Sequence, residues 1–214
     1  MKTKSSILVT GGLGYIGSHT VVELINQGLD VNIIDNLSNS DISVLDRIYK
    51  ITGIRPKFYH IDLRDLKSIT QCFQENNYNS IIHFAALKSV GESVLKPEKY
   101  HDNNIKSLEN IFLSMERFEV DKLVFSSSCT VYGQPDKLPV TENSPFKKPE
   151  SPYAETKQIS EDMIKDLCIK NPNIKIISLR YFNPIGAHNS GIIGENSTGI
   201  PDNLVPYITQ TSLG

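Results

Sequence analysis

The sequence predicts an α/β fold organised as a doubly wound parallel sheet. Short β-branched runs alternate with longer helical patterns, as βαβ units do. A glycine-rich turn, Thr10-Gly-Gly-Leu-Gly-Tyr-Ile-Gly17, joins the first such run to the first helical pattern. An aspartate, Asp35, closes the second run. In sheets of this kind ligands bind beyond the carboxyl ends of the strands, so residues just after each run are the first candidates for a site.

The elements follow in order. Residues 7–9 read as the first strand, and residues 15–27 as a helix ended by Gly28. Residues 31–34 form the second strand, 57–60 the third and 80–84 the fourth, with a helix over 66–73 before the last of these. A helix is expected over 104–118, a fifth strand over 122–126 and a sixth over 174–179. The polar, proline-bearing stretch 132–151 reads as a surface loop, and 202–213 as one more helix. Residues 1–185 are expected to form a dinucleotide-binding domain. Residues 186–214 are too few for a domain of their own and read as the beginning of a second.

Composition narrows the function classes. The 214 residues carry 22 basic and 24 acidic side chains, a net charge of -2, so no basic surplus points to nucleic acid or an acidic membrane surface. With 39% hydrophobic residues and no long apolar run, no membrane association is expected. Residues 1–6 lead straight into a strand-like segment without the apolar stretch of a secretory leader. The three cysteines, Cys72, Cys129 and Cys168, lack CxxC spacing and read as reduced thiols in a cytoplasmic protein. His60, His83 and His188 lack metal-ligand spacing, and no metal is expected.

Gly11, Gly14 and Gly17 have the spacing of a dinucleotide-binding turn. One glycine permits the turn, one lets backbone approach a pyrophosphate, and one lets helix pack close to strand. The helix start then offers N–H groups and positive potential to phosphate. Asp35 is placed to accept hydrogen bonds from an adenosine ribose and to repel a 2′-phosphate. Asn36-Leu-Ser-Asn39 holds no arginine to neutralise that phosphate, so NAD is expected over NADP. Asp62, with Leu63 after it, follows the third strand, where an aspartate reaches adenine or caps a helix.

The segment Ser151-Pro-Tyr-Ala-Glu-Thr-Lys157 pairs a phenol and an amine one helical turn apart. Ser151 reads as an N-cap and Pro152 as the first helical residue, which puts Tyr153 in the first turn. Lys157 falls on the apolar face with Met163, Ile164, Leu167 and Cys168, so its cation must snorkel or be held for a purpose. A free phenol titrates near ~10, and bringing it to about 7 requires roughly 4 kcal/mol of phenolate stabilisation. An ammonium and an oxidised nicotinamide can supply that order of energy in a partly dry site. Phe125-Ser-Ser-Ser-Cys-Thr-Val-Tyr-Gly133 leaves the fifth strand with hydroxyls suited to hold the substrate oxygen; Ser128 is the first choice, with Ser127 and Thr130 behind it.

With these motifs, together with His83-Phe-Ala-Ala-Leu-Lys-Ser-Val-Gly-Glu-Ser93 and Arg180-Tyr-Phe-Asn-Pro-Ile-Gly-Ala-His188, the chain resembles the extended short-chain dehydrogenase/reductases. It is most similar to their branch that inverts C4 of UDP-hexoses. The resemblance implies a Rossmann fold and a catalytic set of Ser128, Tyr153 and Lys157. It implies an NAD site touching Gly11, Gly14, Tyr15, Ile16, Gly17, Asp35, Asn36, Asp62, Leu63, Phe84, Ala85, Lys88, Asn103 or its neighbour Asn104, Ser126, Tyr153, Lys157 and Tyr181. A UDP-hexose substrate would meet Lys88, Ser128, Tyr153, Asn183 and Asn203. The implied reaction interconverts UDP-glucose and UDP-galactose through a 4-keto sugar, and the family's usual state implies a homodimer.

Two departures from the family pattern stand out. Cys129 replaces an expected alanine, and the chain stops at Gly214 where family members continue through a lobe that grips the nucleotide sugar. The sequence therefore leaves open a fragment or a truncated homologue, of which the isolated form would be poorly active. A nucleotide-sugar 4,6-dehydratase and a non-catalytic NAD-binding protein are the competing readings. The first would require an acid–base carboxylate pair, and Cys129-Thr130-Val131 offers none.

Overall fold

The computed structural model describes residues 5–196 and 204–213. The six strands of its sheet alternate with helices, and the chain divides into two compact units. Among the described residues, one comprises 5–62, 67–85, 183–196 and 204–213; the other comprises 63–66 and 86–182.

The first unit opens with β1 (Ser6–Thr10), α1 (Tyr15–Asn26), β2 (Val31–Asp35), α2 (Val44–Thr52) and β3 (Lys57–His60). It continues with α3 (Leu66–Glu75) and β4 (Tyr78–His83). Its strands are ordered β3-β2-β1-β4 and pair in parallel, with Val9 opposite both Ile33 and Ile82. The order reverses direction at β1 and β4, the switch point at which such sheets open a crevice for ligands. Every residue of β2 is buried, as expected for a strand covered on both faces. Val9, Val21, Val22, Ile25, Ile33, Leu45 and Ile48 form one packed cluster, with Ile193 against it.

The second unit contains α4 (Val90–Leu95), α5 (Pro97–Arg117), β5 (Lys122–Ser128), α6 (Pro152–Lys170) and β6 (Lys175–Tyr181). A short 3-10 turn, Cys129–Tyr132, continues directly from β5. β5 and β6 are parallel, with Ser127 opposite Arg180 and Ser128 opposite Tyr181. The core includes Tyr100, Leu108, Ile111, Met115, Leu123 and Phe125. The final helix, α7 (Leu204–Leu213), belongs to the first unit.

Several element boundaries differ from the sequence reading, three of them by enough to matter, and two helices were not foreseen. β4 starts at Tyr78 because that aromatic is buried and hydrogen-bonds Cys72 Sγ at 3.3 Å. β5 runs on to Ser128, so all three serines lie inside the strand. α5 begins seven residues before the expected position 104: Pro97 takes a first-turn position and Glu98 complements the helix dipole. α2 and α4 are short helices that the pattern did not reveal. α2 buries only Leu45 and Ile48 and ends at Gly53, whose φ is 71°. α4 is started by the Ser89 hydroxyl, which accepts from Glu92 N–H at 3.3 Å. Residues 133–151 contain no helix or strand, as expected of the loop.

Candidate functional site

In the first unit the site is made of backbone. Gly11 has φ of 68°, and a Cβ there would come within 2.7 Å of Ala85 N. Gly11 therefore serves both the left-handed conformation and the close approach of the segment after β4. A Cβ at Gly17 would sit inside the Gly11 carbonyl oxygen, so this position locks α1 against the turn. Gly14 is different. It is the N-terminal cap of α1 with unstrained backbone and no side-chain cap, and an added Cβ would meet only Gly11 O, at 3.3 Å. The first N–H groups of α1 lack a side-chain acceptor of this capping kind, which suits an anion. Tyr15 and Ile16 form the first turn, and the Tyr15 hydroxyl donates to Gly186 O at 2.8 Å.

Asp35 is buried and ties two loops together. Leu13 N–H donates to Oδ2 at 3.1 Å, while Leu37 N–H and the Ser40 hydroxyl donate to Oδ1 at 3.0 and 2.8 Å. With roughly four acceptor positions on a carboxylate, these bonds leave room for one more, on Oδ2. Leu37 is held at φ of 59°, a left-handed conformation that costs a branched side chain energy and here turns the chain sharply after β2. Asn36 Nδ2 donates to Asp62 Oδ2 at 3.5 Å, so two of the predicted adenosine-side residues are neighbours. Phe84 N–H donates to Thr10 O at 3.0 Å, which sets Phe84 and Ala85 beside the glycine turn.

In the second unit the site is made of side chains. Ser151 Oγ accepts from Ala154 N–H at 3.1 Å, and Pro152 is the first residue of α6, as the sequence predicts. Tyr153 follows this cap in the first turn of α6, close enough to the Ser128 side chain for that hydroxyl to act on its phenol. Thr130 donates to Ser128 Oγ from its N–H at 3.2 Å and from its hydroxyl at 3.0 Å. Of the three candidate hydroxyls, Ser128 meets the phenol, Thr130 supports Ser128, and Ser127 is spent elsewhere, on Glu161 at 2.6 Å. Lys157 is only 4% exposed. Its Nζ donates to Ser126 O at 2.7 Å and lies 4.9 Å from the Phe125 ring centre and 5.8 Å from that of Tyr153.

Burial dominates the electrostatics of this pair. It pushes the Tyr153 phenol above its ordinary value; the nearby Ser128 hydroxyl opposes that rise and Cys129 adds to it. It pulls Lys157 down to about 8, against the opposing influence of Glu161. The low phenol value anticipated from the sequence is thus not a property of these side chains by themselves. Desolvation of an anion outweighs the nearby hydroxyl, and the ammonium is anchored on a backbone carbonyl.

The remaining predicted residues fall in less constrained places. Leu63 is buried, and its carbonyl accepts from Asn110 Nδ2 at 2.8 Å. Lys88 is exposed in the segment before α4. Asn104 is buried and grips Leu87, accepting from its N–H at 2.9 Å and donating to its carbonyl at 3.0 Å, which leaves Asn103 the more open of the two asparagines. Tyr181 ends β6 half-buried, and desolvation raises its phenol. Asn183 is exposed with φ of 44°, a conformation asparagine tolerates. Asn203 lies outside the described residues. No helix of the described residues is long and apolar enough to cross a membrane.

A family model described as the NAD dependent epimerase/dehydratase family matches residues 7–210. The chain belongs to this family. Among its relatives in the family, a UDP-glucose 4-epimerase of Dictyostelium discoideum is 50% identical over 208 residues, covering 97% of this chain and 60% of that protein. One of Bacillus subtilis is 48% identical over 209 residues, covering 98% of this chain and 61% of the other. The chain therefore spans about three fifths of the length of these curated relatives. A crystal structure of UDP-glucose 4-epimerase from Bifidobacterium longum in complex with NAD+ and UDP superposes with a TM-score of 0.96 at 46% identity. The match covers 98% of this chain and 63% of that one. The fold of the chain is thus the α/β fold of these family members.

The sequence reading gave no role to Glu161 or Arg180. Arg180 Nε and Nη2 donate to the two Glu161 oxygens at 2.9 and 2.7 Å, and Nη1 donates to the Tyr132 hydroxyl at 2.9 Å. The available signal was spacing: Glu161 stands one helical turn beyond Lys157, on the same face.

Proposed function

We propose that the chain carries the cofactor and proton-transfer machinery of a UDP-glucose 4-epimerase, interconverting UDP-glucose and UDP-galactose through a 4-keto sugar. The observation that carries the reading is the buried set of Ser128, Tyr153 and Lys157 on β5 and α6, in a chain whose glycine turn is sterically committed. Residues 1–185 would be the NAD-binding domain, and 186–214 the start of the substrate-binding one.

The residues of the first unit fit NAD. The uncapped start of α1 offers N–H groups to a pyrophosphate, Gly14 has no side chain to obstruct it, and Asp35 Oδ2 retains an acceptor for a ribose hydroxyl. Asn36, Asp62 and Leu63 would line the adenosine side; Phe84, Ala85, Lys88, Asn103, Ser126 and Tyr181 would complete the cofactor contacts. Bound there, NAD supplies a reversible acceptor for the hydride of sugar C4. Tyr153 accepts the C4 hydroxyl proton as the 4-keto sugar forms and returns it as the inverted alcohol is restored. Ser128 hydrogen-bonds the same oxygen, and Lys157 supplies positive charge that favours the phenolate. Lys88, Asn183 and Asn203 would hold the sugar nucleotide. The enzyme would act as a cytoplasmic homodimer.

Tyr153→Phe tests the reading. In a chain extended to the relatives' length, this variant should bind NAD as wild type does in calorimetry, yet convert UDP-galactose about 10²–10⁴-fold more slowly. Near-normal turnover would require another base and would overturn the mechanism. NAD binding without conversion by the wild type extended to the relatives' length would favour a non-catalytic NAD-binding protein, and a product lacking the sugar 6-hydroxyl would favour a dehydratase. NADP should bind more weakly than NAD, because its 2′-phosphate would face Asp35; equal binding would remove Asp35 from the ribose site.

A further inference from the structure

One turn beyond Lys157, α6 carries a second buried charge that the reaction above does not use. Glu161 is buried and bonded through both oxygens: it accepts from Ser127 Oγ at 2.6 Å and from Arg180 Nε and Nη2 at 2.9 and 2.7 Å. Arg180 stands opposite Ser127 in the β5–β6 register and donates to the Tyr132 hydroxyl at 2.9 Å. Its guanidinium carbon is 5.0 Å from the ring centres of both Tyr132 and Phe146. The arginine is therefore immobilised before it meets the carboxylate.

Positions 153, 157 and 161 of α6 grip three consecutive residues of β5. Tyr153 takes the Ser128 side chain, Lys157 the Ser126 carbonyl and Glu161 the Ser127 hydroxyl. Each contact lies one helical turn from the next, so the three share one face. We propose that Glu161 is a positioning residue for the catalytic set: through Ser127 it fixes the strand end that presents Ser128, and it sets a negative charge one helical turn from the buried Lys157. This rests on the epimerase reading for the chemistry and on the geometry of the second unit for the positioning.

Glu161 raises the lysine's proton affinity against the burial that lowers it, and burial in turn opposes the carboxylate's own charge. Arg180 and Ser127 outweigh that and hold Glu161 ionised. Lys165, which pairs with Asp162 at 2.8 Å, adds to the positive charge that holds Glu161 ionised, while Cys129, after β5, acts on Tyr153; His101 of α5 lies 3.2 Å from Glu155, and Glu92 of α4 pairs with Lys99 at 2.8 Å.

The test uses Glu161→Gln, Glu161→Asp and Ser127→Ala in the NAD-loaded chain extended to the relatives' length. Lys157 Nζ is followed by nitrogen NMR of 15N-lysine protein, its signal assigned by its loss in Lys157→Met. Glu161→Gln should lower the Lys157 midpoint by roughly half a pH unit or more, and Glu161→Asp should restore most of that shift. Turnover should fall roughly 10- to 100-fold in Glu161→Gln with KM for UDP-galactose and NAD affinity unchanged. Ser127→Ala should lower turnover with the Lys157 midpoint in place. An unmoved midpoint in Glu161→Gln, or a loss of turnover that follows only the fraction of folded protein, would overturn the proposal. If Glu161→Gln does not fold, Ser127→Ala decides: wild-type turnover there refutes the tether to Ser128. Should the wild type at that length not epimerise, the proposed function fails while the lysine midpoint still decides the role of Glu161.

Discussion

The glycine turn and the β5–α6 ladder reach precision by opposite means. Around Gly11 and Gly17 the structure depends on atoms that are absent, since a single Cβ would collide with backbone. Around Tyr153, Lys157 and Glu161 it depends on atoms that are present and costly, because two charged groups are buried and each must be answered by a partner. Backbone sterics tolerate almost no substitution but store no electrostatic strain. The ladder tolerates shape-preserving changes but holds an ammonium where water would suit it better. A site built the second way can be made more stable by being made less active.

The largest effect should come from breaking the steric half. Gly17→Ala forces α1 away from the turn, and overpacking against backbone should cost about 3 kcal/mol with loss of NAD binding. Gly14→Ala, one turn earlier in the same motif, should cost less than about 1 kcal/mol, because its Cβ meets only one oxygen at 3.3 Å. Urea denaturation of the two variants measures the difference. Equal costs would mean that the motif acts through chain flexibility rather than through contact.

Lys157→Met tests the electrostatic half and has the opposite sign. The lysine titrates near 8 when folded, below its ordinary 10.5, so the unfolded chain binds more protons between those values and stability rises with pH across that window. Below pH 8 the buried ammonium costs about 3 kcal/mol, from 2.5 units at 1.36 kcal/mol each. Losing the donor to Ser126 O offsets about 1 kcal/mol of the gain. Lys157→Met should therefore be about 2 kcal/mol more stable than wild type at pH 7, with the advantage vanishing above pH 10.5, and should lose turnover. A destabilised variant at pH 7 would show that the ammonium is better solvated than its burial implies.

The smallest effect concerns the cap that orients the ladder. Ser151→Ala removes the acceptor for Ala154 N–H and should cost about 1 kcal/mol in thermal or urea melts. Its effect on turnover should exceed its effect on stability if the cap aims Tyr153, and should vanish if the helix alone does so.

Much of this arrangement was legible in the linear chain, because some residue choices admit few geometries. The glycine spacing, Asp35 at the end of β2 and the Ser151-Pro152 start of α6 act over a few residues, where local sterics and hydrogen bonding decide. The start of α5 was hidden by a polar first turn, and α2 and α4 are too short to show a period. Ser127, Ser128 and Thr130 remained alternatives in sequence because all three are small hydroxyls within four positions. Only packing of α6 on β5 sends one to Glu161, one to Tyr153 and one to its neighbour. For the same reason the pairing of Glu161 with Arg180, 19 positions apart, and the burial that sets the proton affinities of Tyr153 and Lys157 were decided by the tertiary structure. Backbone conformation is a short-range property of residue type. Desolvation and charge pairing depend on which distant segments exclude water from the same place.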